Sequence, residues 1–202
     1  MCIRDRLLTK RIEEITKYDK RKQNLADEIK RVEESDEFNK EKIIENLEKK
    51  DTIGKVNFDS VIISAFDETL KSITTSLIYT DVTPKKTYFI TLNQWFDESL
   101  LNEDSSQNLY FPSINKKNFD EFKQEYFNKY SSEPNQISLL GFDLVGLIFY
   151  LSKVNDFQLN DKLFDQKNTF KGKIGLFEIE DKRIKHVLNF YKVESNKFKK
   201  IF

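Results

Sequence analysis

Catalysis by side chains needs nucleophiles, bases or metal donors in reach of one another, and this chain is poor in them. Its 202 residues include one His, His186, and one Cys, Cys2. A Ser-His-Asp triad could use only His186, which lies between Lys185 and Val187 in an alternating stretch with no nucleophile-elbow sequence nearby. Disulfide frameworks and Cys/His metal sites are excluded by the same arithmetic. Five glycines form neither a Walker loop nor a G-x-G-x-x-G turn. The acidic pairs Asp97-Glu98 and Asp120-Glu121 fall near helix starts, where carboxylates complement the helix dipole. The sequence therefore points to no catalytic group, no metal and no cofactor.

Binding is better provided for. In an open α/β sheet, ligands sit outside the carboxyl ends of the strands. Three segments occupy such positions: Ser64-Ala65-Phe66-Asp67, Asn93-Gln94-Trp95 and Tyr110-Phe111-Pro112-Ser113. Ser64-x-x-Asp67 also fits a helix capping box, and the cap is the preferred reading of that pair. Trp95, the single Trp, suits a core position or a cleft rim where it would stack on a ligand. Asp143 is a lone carboxylate within an apolar helical run, so it is expected to accept hydrogen bonds as structural support.

The elements that would hold these residues follow from periodicity. Residues 1–6 read as a non-native leader, with the natural N-terminus and its signal expected upstream. Residues 7–54 form a charged segment with one narrow apolar stripe (Leu8, Ile12, Ile15, Leu25, Ile29, Val32), interrupted at Ser35-Asp36, which suggests a helical hairpin or a short coiled coil. Residues 55–202 have another texture. Apolar runs at 58–65, 87–92 and 109–112 alternate with helical patterns at 68–79, 95–101 and 116–130, giving parallel strands joined by right-handed crossovers. The first run reads as a strand buried on both faces. Residues 139–151 are apolar nearly all round and read as a buried helix. The tail, 174–179, 186–193 and 198–202, reads as a β-meander. Lys and Arg total 34, as do Asp and Glu, so the chain lacks the field that draws proteins to nucleic acid. No apolar run is long enough to span a bilayer.

Several phrases, in this order, resemble the type I periplasmic binding proteins. They are the run from Leu47 through Gly54 into Phe58-Asp59-Ser60-Val61-Ile62-Ile63, and the Trp-containing loop from Asn93. Tyr110-Phe111-Pro112-Ser113 follows, then Leu140-Gly141-Phe142-Asp143-Leu144-Val145-Gly146 and Phe170-Lys171-Gly172-Lys173-Ile174-Gly175-Leu176-Phe177. The pattern is most similar to the penicillin-binding protein activators and the branched-chain amino-acid receptors of ABC transporters. The resemblance implies an α/β C-terminal lobe with a mostly parallel sheet, a missing N-terminal lobe and a periplasmic, non-enzymatic role. For an activator, the implied partner is a bifunctional peptidoglycan synthase, and the charged helical segment favours this reading. For a solute receptor, the implied partners are an ABC permease and a small ligand such as an amino acid. Phe66 and Asp67, with Trp95 and Asp97, would then meet that ligand. Asp143 departs from the family phrase in being followed by Leu where Ala is usual.

Overall fold

The computed structural model describes residues 3–92, 96–158, 164, 168–173 and 175–202. Three helices open the chain: α1 (Ile3–Thr16), α2 (Tyr18–Glu33) and α3 (Lys40–Glu48). The expected hairpin is thus a trio, because Lys17 takes a left-handed backbone (φ 52°) that ends α1 and restarts the chain as α2. The second half of the stripe enters a core, in which Leu25, Val32 and Leu47 are buried with Ile29, Ile43 and Ile44 around them, while Ile15 is exposed.

The alternating region follows as β1 (Ser60–Ile63), α4 (Asp67–Tyr79), β2 (Tyr88–Thr91), two 3-10 turns (Glu98–Asn102, Asp104–Ser106) and β3 (Leu109–Ser113). β1 pairs with β2 and β2 with β3, both parallel, in the register Ile63↔Thr91 and Ile90↔Tyr110. This register puts Ile63, Phe89, Thr91 and Leu109 on one buried face. On the other face Ile62 and Tyr88 are exposed, so β1 is covered on one side and not on both as its apolar run suggested. Apolar content alone does not distinguish these cases, since β-branched residues suit either face of a pleated strand.

The remaining elements are α5 (Lys116–Tyr130), α6 (Gln136–Val154), β4 (Asn168–Lys171), β5 (Leu176–Glu180), β6 (Arg183–Val187), β7 (Asn189–Glu194) and β8 (Lys197–Lys200). Asn115 caps α5 by accepting from the Asn118 amide, and Asn135 caps α6 through the Ser138 amide. The C-terminal strands are present but fall into two sheets. One has the order β1-β2-β3-β7-β8, and the other is the antiparallel trio β4-β5-β6. The run 186–193 therefore divides at Leu188. Both hairpin turns use paired left-handed residues, Asp181-Lys182 and Ser195-Asn196, the type I′ geometry that matches strand twist.

The chain forms two compact units: residues 1–92 with 98–110 and 193–197, and residues 93–97 with 111–192 and 198–202. In the first, Arg21 of α2 donates to the Thr80 carbonyl at the end of α4, and Thr9 of α1 bonds Ser76, so the charged helices and α4 pack as one body. In the second, Leu139, Leu147 and Leu151 of α6 are buried. The opposite side of α6 is not: Phe142, Val145 and Phe149 are 56, 68 and 60% exposed. The all-round apolar pattern suggested complete burial, and the described chain covers only one stripe. Among the described residues, no helix is long and apolar enough to cross a membrane.

Candidate functional site

Parallel pairing brings the carboxyl ends of β1 and β2 to one edge of the sheet, and the chain leaves β1 there to enter α4. After β1 the chain alternates sharply, with Ile63 and Ala65 buried and Ser64, Phe66 and Asp67 exposed. α4 starts at Asp67 with Phe66 in the cap position, and no side chain bonds the helix start. The expected Ser64–Asp67 capping box is therefore not formed. Asp67 itself sits in the left-handed region (φ 49°), which an Asp tolerates better than most residues. A hydroxyl, an aromatic ring and a carboxylate are thus presented together at the strand end, beside helix amides that no side chain caps.

The other expected residues are distributed differently. Asn93 and Trp95 lie outside the described residues. Asp97 is half-buried just before the first 3-10 turn. Tyr110 belongs to β3 itself, which runs on to Ser113, so it stands on a sheet face and not in a terminal loop. There its ring meets that of Tyr88 edge-on at 5.6 Å. Sequence reasoning missed Phe96, whose buried ring contacts Phe111, Phe119, Tyr191 and Phe198. Its neighbour Trp95 drew attention by rarity, while one Phe among 18 carried no signal.

Asp143 is buried in the second unit and accepts the Lys173 backbone amide at 2.7 Å. The turn beneath it needs glycine, because a Cβ on Gly172 would lie 2.2 Å from Asp143 Oδ2. Gly175 makes the matching approach to His186, where a Cβ would come within 2.4 Å of Nε2. The glycines of the 170–177 phrase thus seat one carboxylate and one imidazole. His186 stacks on Phe177 at 4.3 Å, and burial pushes its pKa below the ordinary value of 6.5 against the opposing pull of Asp143. No group of three or more His, Cys, Asp or Glu that could hold a metal occurs among the described residues.

No family model matches this chain, and no curated protein does. Solved structures do. An extracellular ligand binding receptor from Desulfohalobium retbaense DSM5692 matches 71% of this chain and 26% of its own, with TM-score 0.51 and 17% identity. A branched-chain amino acid ABC transporter from Rhodospirillum rubrum matches 80% of this chain and 48% of its own, with TM-score 0.57 and 14% identity. The fold is that of a type I periplasmic binding protein lobe, with a mostly parallel sheet flanked by helices. The chain spans less than half the length of either neighbour.

Proposed function

We propose that this chain is part of a periplasmic solute receptor that delivers a small ligand, of the amino-acid class, to an ABC permease. The observation carrying this reading is the exposed trio Ser64, Phe66 and Asp67 at the carboxyl edge of three parallel strands. A carboxylate there suits a ligand ammonium, and the helix amides suit a ligand carboxylate. Tyr110 and Asp143 serve as packing support, and no catalytic step is involved. The solved neighbours carry receptor and transporter names, which favours this role over the penicillin-binding protein activator role. A second lobe completes the receptor, and the uncovered apolar side of α6 is surface on which it packs.

The test is a thermal-shift screen of the full-length protein against amino acids and related solutes. A ligand at about 100 times its Kd stabilises by about 2.7 kcal/mol, a rise of several degrees that Asp67→Asn should remove. If no solute moves the transition while the immobilised protein retains a bifunctional peptidoglycan synthase, the activator role replaces this one.

A further inference from the structure

The opposite edge of the same strands holds a different kind of site. Phe58 and Asp59 precede β1 and Thr87 precedes β2, and with Arg21 of α2, Lys50, residues 52–56 and the 81–83 turn they line a cavity of about 530 Å³. Among its lining residues is a buried cation, Arg21, 6% exposed. The guanidinium donates through Nη1 to the Thr80 carbonyl at 2.9 Å and through Nη2 to Thr52 Oγ1 at 2.7 Å. Its carboxylate contact, Asp81 Oδ2, is long at 3.4 Å, and that oxygen already accepts the Thr52 hydroxyl at 2.6 Å. Arg21 Nε is buried with no acceptor. A buried cation paired this loosely is costly and leaves positive potential in the cavity.

The rim adds to that potential. Lys50, Lys55 and Lys86 line the cavity, and none has an ion-pair partner among the described residues. Against Asp59 and Asp81, the four cations leave an excess of two positive charges in a chain whose net charge is zero. A smaller adjoining groove, sharing Arg21, Gly54 and Lys55, adds Lys17 and Lys20. The walls also include Ile53, Val56 and Phe58, so the space suits more than a bare ion.

The geometry points to a second ligand site at the amino edge of the sheet, which takes a small phosphate monoester carrying an apolar body. A phosphate near pH 7 bears close to two negative charges, matching the excess, and offers acceptors to several cationic donors at once. This inference is independent of the receptor role, which concerns the other end of the strands.

The test is amide NMR of the chain titrated with phenyl phosphate at constant ionic strength, with benzoate as a monoanion of the same ring. Saturable shifts confined to residues 50–59 and 81–87, at least several times tighter for phenyl phosphate than for benzoate, are expected. Lys55→Gln and Lys86→Gln change exposed side chains and leave the fold intact, and each should weaken binding roughly two- to fivefold. Equal binding of benzoate, shifts scattered over the lysine-rich surface, no saturation, or variants that bind as the parent does would each overturn the site.

Discussion

α4 and α6 are both long helices, yet they treat apolar residues in opposite ways. α4 is the less apolar, and it buries Leu70 and Leu77 together with the polar Thr74 and Ser76. α6 is far richer in Leu, Phe and Val, and it leaves Phe142, Val145, Phe149 and Val154 uncovered after Leu139, Leu147 and Leu151 are buried. α4 is matched to the surroundings this chain supplies. α6 carries more apolar surface than the described residues cover, and contiguous exposed apolar surface of this kind marks an interaction face.

The largest expected effect tests that contrast within α6. Leu147→Ala should cost about 2–5 kcal/mol in a denaturant titration, because the cavity it opens lies in packed core. Phe149→Ser, two residues on, should stay within about 0.5 kcal/mol. Equal losses from both would show that the open side of α6 is already packed. An intermediate effect is expected at the Asp143 seat. Asp143→Ala strands the Lys173 amide and should cost about 1–3 kcal/mol. Gly172→Ala should cost at least as much, since its new methyl meets a carboxylate that cannot withdraw without losing that bond. Recovery of stability in the double variant, read as a coupling energy, would confirm that the two share one cost.

The smallest effect concerns pH. The folded chain holds His186 below its ordinary value of 6.5, so the unfolded chain takes up the proton first as pH falls. Stability from the neutral ring is therefore complete above about pH 6.5 and declines as pH drops through that value toward the folded pKa. Denaturant midpoints measured from pH 7.5 to 5.5 should fall for the parent and flatten for His186→Gln. A midpoint that rises on acidification would reverse the assignment, with Asp143 outweighing burial.

Much of this architecture could be read from residue order. The apolar runs around Val61 and Phe89 located two parallel strands, and the helical pattern at 116–130 bounded α5. These signals are local, set by backbone preference and side-chain period. What escaped was decided by the local path of the backbone or by partners remote in sequence. Ser64-x-x-Asp67 has capping-box spacing, but the chain reaches the helix through Phe66, so the hydroxyl never meets its amide. Leu188 sits in an unbroken alternating run, and only the choice between two sheets divides it. Arg21 is one of many cations on a charged helix, and its burial is decided by carbonyls about 60 residues away. Ser64, Phe66 and Asp67 stand exposed at the end of β1, and Tyr110 lies within β3 on a sheet face.

The clamp made by Arg21 also bears on how this molecule could be shortened. Its guanidinium spans residues 52, 80 and 81, and the Ile53 amide returns the tie by donating to the Arg21 carbonyl. A version trimmed to begin at residue 55 would strip the end of α4 of those donors. The helices that look like a dispensable polar appendage are, in mechanical terms, the back plate against which the first crossover is bolted.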